Sequence, residues 1–402
     1  MLHFLKQHSL FLSFAFLATA LGNFGQTFFI ALYSAELRAE FALSHTAFGG
    51  IYSAMTLLSA LAVMVSGRWI DNWPLKKFVI FVFCGLAAGC LVMSFAQNIV
   101  FLALAIFLLR HFGQGLSAHT AMTAMSRNFN KTRGRAVAIG QLGFPAGESL
   151  LPALAVLLMV TYGWRMSWQL FAIVLLFVFV PLLCWLSGKG VQEVDDVKDE
   201  PVVSKGRSDV LRDKRFYMIM PLYVAPAFLM TGMFFHQIRL AEDMSWGTRE
   251  LAIAFSFYGF CKIIASLVTG QLVDKFSARR LLPFTIFPLI AAFMTLLLIP
   301  DSLALYGLFI YLGLCGVNLG MAGPVSGGLW PELYGTGHLG AIRSMTSPIT
   351  LLGTAIAPVL FGFVLDNDVA FSQIILISIF YMIFAGSLAF AVSFDKLPRR
   401  LD

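Results

Sequence analysis

Charge is scarce in this chain. Asp, Glu, Lys and Arg make up 12% of its 402 residues against 59% hydrophobic ones, and a typical soluble domain carries about twice that share of charge. The composition excludes a soluble protein. Cysteine is scarce too: Cys84, Cys90, Cys184, Cys261 and Cys315 lie in or at the ends of apolar runs, with no C-x-x-C pair and no His/Cys ligand spacing. Neither a disulfide framework nor a zinc site is expected. No Walker A sequence couples the chain directly to ATP, and no H-E-x-x-H or H-x-x-x-x-D pattern suggests a membrane enzyme. "GTGHLG", Gly335 to Gly340, fits a dinucleotide glycine pattern, but it follows an apolar helix rather than a strand, and no acidic residue lies about 20 positions on. We expect no enzyme activity, no metal and no cofactor.

What the chain has is long apolar runs. A membrane span needs about 20 such residues, and twelve segments qualify, near 10–34, 46–67, 78–96, 99–124, 136–161, 167–186, 216–238, 250–273, 281–299, 303–328, 340–365 and 370–393. The N-terminus mimics a signal peptide, with Lys6, an apolar stretch from Leu10 and the small residues Ala18 to Ala20. Its charge-free run continues to Ser34, so it reads as a retained first span. Between spans six and seven, 187–214 holds 13 charged residues in 28. This solvated linker divides the chain into a six-helix bundle over 1–186 and another over 215–402. The expected fold class is all-α, a polytopic membrane protein of twelve helices in two pseudo-symmetric bundles.

The net charge of +7 comes from short basic clusters between the apolar runs, not from one face. The clusters are topology signals, and no nucleic-acid partner is expected. With both termini inside, 22 of the 28 Lys and Arg residues fall in inside segments and four (Arg38, Arg165, Arg239, Arg249) outside. That bias sets the orientation. The halves also repeat one another: "GRWIDNWPLKK" after span two and "GQLVDKFSARR" after span eight align Gly67, Asp71, Lys76 and Lys77 with Gly270, Asp274, Arg279 and Arg280, each 203 residues on. A parallel six-span repeat places a substrate site near the midplane between the halves. Glycines that let helices approach, with a carboxylate and basic cluster at helix ends, suit a breakable latch.

Three charged residues lie deep within spans: Arg110, Glu148 and Lys262. Each is about twelve residues from its span's start, about 18 Å at 1.5 Å per residue, near the middle of a ~30 Å core. A charge at that depth faces a partner or a wet cavity. Glu148 with Arg110 reads either as a structural ion pair or as a proton-coupling site. Lys262 lies on a polar stripe with Tyr258, Ser266 and Thr269, and it reads as an anion contact more readily than as a snorkelling side chain. Gln114 shares Arg110's face, and Asn23 and Gln26 lie along one side of span one, suited to a cavity or to bonding neighbouring helices. His119 lies about half a turn round and is expected to pack elsewhere.

The two loops resemble the signature of the major facilitator superfamily, G-x-x-x-D-[RK]-x-G-x-[RK]-[RK]. The first copy departs at Asn72 and Pro74; the second keeps Lys275 but has Ser277 for the glycine. "RHFGQG" (Arg110 to Gly115), "RGRA" (Arg133 to Ala136) and "GWRMSW" (Gly163 to Trp168) are also similar to the family's pattern. The resemblance implies a secondary transporter working by alternating access, with a cytoplasmic gate of Gly67, Asp71, Lys76, Lys77, Gly270, Asp274, Lys275, Arg279 and Arg280. Its layout is most similar to the oxalate and monocarboxylate branch, which implies a small organic anion; Glu148, the one deep carboxyl group, is the expected proton-coupling residue. The expected substrate contacts are Lys262, Arg110, Tyr258, Gln114, Asn23 and Gln26. That branch places an arginine eight residues before the motif aspartate, where this chain has Ser266, with Lys262 one turn earlier. Span five reads "GFPAGE", Gly143 to Glu148, where the family's drug exporters carry G-P-x-x-G-G; export of amphipathic compounds by proton antiport is the alternative. The expected setting is a bacterial inner membrane, both termini cytoplasmic, with a monomer as the functional unit and lipid, protons and a small anionic solute as partners.

Overall fold

The computed structural model describes residues 2–129, 132–189, 207–335 and 339–394. Among the described residues the elements are helical, with no strand. Those used below are α1 (Leu2–Leu21), α2 (His45–Ser66), α3 (Leu75–Ser94), α4 (Ile99–Asn128), α5 (Gly143–Val174), α6 (Val180–Ser187), α7 (Lys214–Phe235), α8 (Thr248–Phe276), α9 (Ala278–Leu298), α10 (Ala304–Tyr334), α11 (Leu339–Asp366) and α12 (Phe371–Ser393). Among the described residues eleven stretches are long and apolar enough to cross a membrane, and one of them, Ala136–Ser187, runs for 52 residues. That length holds two passes, hinged at Gly163, whose φ of 81° only glycine adopts without strain. Twelve passes result.

Local chemistry sets the helix starts. Ser44 accepts the Ala47 amide at 3.1 Å to cap α2, and Asn98 Oδ1 accepts the Val100 and Phe101 amides at 3.0 and 3.1 Å to cap α4. The first pass does not stay α-helical: Gly22–Gly25 tightens to a 3₁₀ turn, and Gln26 is extended (φ −79°, ψ 152°) before Thr27–Ala31 resumes the helix.

The chain divides into two compact units: 1–197 with 234–239 and 358–363, and 198–233 with 240–357 and 364–402. The first unit thus takes in short segments of α7 and α11 that the sequence division assigns to the second bundle. The charged linker 187–214 lies mostly outside the described residues; Arg207–Arg212 forms a short helix. In unit one Phe29, Tyr33, Phe78, Phe83 and Trp168 are fully buried, with Phe29 and Trp168 edge to face at 5.5 Å. In unit two Trp330, Phe255 and Tyr258 hold the core. Large apolar side chains such as Val160 (77% exposed) and Phe380 (72%) point outward, the pattern of a surface solvated by lipid.

Candidate functional site

The break in the first pass organises the polar interior of unit one. Arg110 is 2% exposed, yet its Nη1 donates to the Gly25 carbonyl at 3.0 Å and its guanidinium lies 5.0 Å from the centre of the Tyr52 ring. The broken helix supplies that carbonyl, because an extended Gln26 cannot complete the i to i+4 ladder. Tyr52 is fixed in turn by a 2.8 Å hydrogen bond between its hydroxyl and that of Thr27, and Gln114 Nε2 donates to Gln26 Oε1 at 3.3 Å. Burying an arginine costs about 2.5–3.5 kcal/mol on insertion scales. A charge-assisted hydrogen bond (about 1.5–3 kcal/mol) and a desolvated cation–π contact (about 2 kcal/mol) offset it. Arg110 is therefore stable there without a carboxylate.

Two further features fit the arginine to the break. Leu109–Ser117 is a π-helical segment of α4, a distortion frequent at functional sites. A side chain on Gly25 would come within 2.6 Å of the Gln114 amide, and one on Gly113 within 2.7 Å of the Gly25 amide. Only glycines let these two backbones touch.

The sequence candidates on this side separate. Arg110, Gln114 and Gln26 come together with Tyr52 and Thr27. Asn23 is fully buried, its amide donating to Ala20 and Phe144 carbonyls at 2.9 and 3.1 Å; it joins α1 to α5. Glu148 is 8% exposed on α5, beside Gly147, which packs on Ala20 and Asn23. Among the described residues Arg110 and Glu148 form no ion pair.

In unit two Lys262 is half-buried on α8, with Nζ 5.8 Å from the centre of the Tyr258 ring one turn away. Its stripe is not uniformly wet. Tyr258 and Thr269 are 1% and 2% exposed, because α8 packs along α10, where Gly316 meets the Tyr258 carbonyl and Gly320 leaves room for that of Lys262. Lys262 thus stands on a backbone pinned by a neighbouring helix.

The two signature loops are tied down differently. In the first, Asp71 pairs with Arg127 at the end of α4, and Arg127 also donates to the Ile70 carbonyl at 2.9 Å. Lys77 lies 4.7 Å from the centre of the Trp73 ring, and Lys76 is exposed. His119 Nε2 bonds the Gly67 carbonyl at 3.0 Å, so it serves the loop and packs away from Arg110's partners. In the second, Glu332 at the end of α10 accepts the Ala278 and Arg279 amides at 2.7 and 2.9 Å, while Arg279 is buried and bonds the Val392 carbonyl. Asp274, Lys275 and Arg280 are exposed, and Gly270 has nothing within 4 Å of where a side chain would begin.

Sequence reasoning missed the polar face of α2. Tyr52, Thr56, Ser59 and Ser66 are buried at i, i+4, i+7 and i+14, a spacing legible as one helix face. Facing them, beside Arg110, is His111, 5% exposed, with Nε2 3.2 Å from Ser66 Oγ. Among the described residues no three His, Cys, Asp or Glu side chains converge as metal ligands.

A membrane-spanning bundle built on a broken helix, with buried cations and paired end loops, defines a polytopic membrane protein. The family model of the Major Facilitator Superfamily matches residues 15–358 and 230–401. The chain belongs to that superfamily and is a multi-pass membrane protein. It is 25% identical over 286 residues to monocarboxylate transporter 13 of Bos taurus (70% of this chain) and 30% identical over 167 residues to the fosmidomycin resistance protein of Escherichia coli (strain K12) (40% of this chain). It spans 65% of the length of the first relative and 40% of the second. Two crystal structures of a bacterial homologue of the human lysosomal transporter Spinster share the fold: inward-facing and unoccupied (TM-score 0.62, 15% identity, 96% of this chain and 97% of that one), and inward-facing and occupied (0.63, 17%, 95% and 96%).

Proposed function

We propose that this transporter moves a small organic anion of the carboxylate type, coupled to protons, across a bacterial inner membrane with both termini on the cytoplasmic side. One observation carries the reading: Arg110, a buried guanidinium at a helix break, held by a carbonyl and an aromatic ring and by no carboxylate among the described residues. An anion entering there replaces a neutral acceptor with a charged one and gains a bidentate partner. Lys262 offers a second cation in unit two, with Tyr258 one turn away, while in unit one Gln114, bonded to Gln26, lies one turn from Arg110. Glu148 is the deep carboxyl group suited to carrying the proton, Asn23 supports the broken helix from behind, and the paired loops gate the cytoplasmic side. The relationship to a monocarboxylate transporter supports the substrate class.

The test is uptake of radiolabelled lactate into proteoliposomes under an imposed pH gradient. Uptake that collapses in Lys262→Glu, with normal membrane insertion, is the expected result; unchanged uptake ends the role given to Lys262. The relationship to a resistance protein favours a second reading, export of an inhibitory compound. Hypersensitivity of a deletion strain to toxic compounds, without any lactate transport, selects it.

A further inference from the structure

We propose that unit two binds one anionic phospholipid, its acyl chain in a groove between α9 and α12 and its phosphate at Arg280. The groove has a volume of about 270 Å³ and runs between Pro283, Phe287 and Ile290 of α9 and Ile383, Gly386 and Phe390 of α12. Its floor offers nothing polar: Ile286 and Met382 are buried there, and the nearby Ser387 hydroxyl donates to the Phe384 carbonyl of its own helix at 2.7 Å. Its rim faces outward, with Phe287, Ile383 and Phe390 at 56%, 54% and 52% exposed. Such a groove, opening on hydrocarbon, suits an acyl chain and no polar ligand. Gly386 makes the hollow. A Cβ there would stand 3.4 Å from Ile286 Cγ2, an ordinary contact, so the packing of the two helices does not require glycine. Its effect is to leave open the space that a larger side chain would fill.

An apolar groove by itself selects no particular lipid; the charge at its end does. α9 runs for 21 residues, about 31 Å at 1.5 Å per residue, which matches the hydrocarbon core. Its first turn, with Arg280, therefore stands at headgroup level. Arg280, Pro283, Phe287 and Ile290 are spaced i, i+3, i+7 and i+10, so the cation continues the groove's own face one turn outward. The neighbouring charges are engaged elsewhere or exposed. Arg279 is buried and holds the start of α9 to the end of α12 through the Val392 carbonyl, and Glu332 reaches from α10 to the Ala278 and Arg279 amides. Lys275 lies 5.2 Å from the centre of the Phe276 ring. Arg280 and Asp274 are both exposed, and neither is in an ion pair among the described residues. The cation at the matching position of the first loop, Lys77, is instead laid against the Trp73 ring. A basic residue at the mouth of a groove between membrane helices suits an anionic headgroup. Chain and headgroup thus each have a partner along one face.

In the experiment, full-length protein in detergent is titrated with dioleoyl phosphatidylglycerol or dioleoyl phosphatidylcholine, and bound lipids are counted by native mass spectrometry. The readout is lipid mass, so it is independent of what the protein transports. The first phosphatidylglycerol is expected to bind about fivefold more tightly than the first phosphatidylcholine, the effect of one basic residue at a membrane surface. Arg280→Gln should bring the two level, and Arg280→Lys should keep most of the preference. Gly386→Leu should weaken the first binding of both lipids by filling the groove; Ile383→Trp, on the exposed rim, serves the same purpose if the first variant does not insert. Val160→Trp, on the exposed surface of α5, should change neither. Equal affinities in the wild type, or a preference that survives Arg280→Gln, overturn the proposal. So does first binding that is unchanged by filling the groove. Displacement of phosphatidylglycerol by excess glycerol 3-phosphate marks a site for soluble phosphate esters and overturns the lipid assignment as well.

Discussion

The two halves of this membrane protein use one loop design with the charges exchanged. After α2 the loop offers a carboxylate, Asp71, to a cation on the end of α4; after α8 the loop offers backbone amides to a carboxylate, Glu332, on the end of α10. The same exchange of means holds deeper in. Arg110 is locked by the carbonyl of a broken neighbouring helix and by the Tyr52 ring on α2, while Lys262 is half-buried on the unbroken α8. A repeat conserves position and geometry more strictly than it conserves which partner carries the charge. Each half must hold a helix end and a deep cation, and several pairings do that equally well.

The comparison breaks most readily at the deep cations. Arg110→Gln should abolish transport and also lower stability by about 2–3 kcal/mol, since the Gly25 carbonyl loses a charged donor; Lys262→Gln should abolish transport with almost no change in melting temperature. Equal thermal shifts for the two variants would erase the distinction. Next come the loops. Glu332→Ala should cost about 1–2 kcal/mol as a lost helix cap, whereas Asp71→Ala, which removes an exposed pair (47% and 60%), should cost less than about 1 kcal/mol. Denaturation of the two variants side by side decides this.

The backbones of the loops sharpen the contrast further. Ser277 stands where the signature has glycine and adopts φ 76°, ψ 145°, a region almost reserved for glycine. Ser277→Gly is expected to stabilise by about 1 kcal/mol, and Pro74→Gly in the first copy, where φ is −55°, to destabilise by about 0.5–1 kcal/mol through the unfolded chain. The smallest effect belongs to two acidic residues near each other in sequence. Glu40 pairs with Arg165 at 2.8 Å, while one Glu36 oxygen is buried without a partner, and burial raises the Glu36 pKa above the usual carboxylate range. A raised carboxyl pKa means that the folded state holds its proton longer, so stability is full below the ordinary glutamate value and declines as pH rises through the folded one. Glu36→Gln should therefore raise the apparent melting temperature by about 2 °C at pH 8 and leave it unchanged at pH 4.

Much of the architecture was legible in the chain. Twelve apolar runs, the 203-residue repeat and the basic bias of alternate loops require little beyond the cost of placing charge in hydrocarbon. Arg110 and Lys262 stood out as charges inside apolar runs for the same reason, and so did Ser277 as the stand-in for a glycine. Other site details were not. Asn23 and Gln26 share one side of a regular helix, but the break at Gly22–Gly25 turns Asn23 to α5 and leaves Gln26 with Gln114. The pairing of Glu148 with Arg110 was a statement about depth, and depth does not say which way a side chain points.

Sequence alone determined that this is a helical membrane protein in two related halves with a few charges inside its apolar runs, because hydrophobic length and charge placement are properties of the chain read along one dimension. Tertiary structure decided which groups those charges meet. Arg110 rests on a carbonyl that exists only because a neighbouring helix is broken, and His111 is notable only because Ser66, 45 residues earlier, faces it. Hydrogen bonds are short and directional, so their partners are fixed by the packing of helices and not by the order of residues.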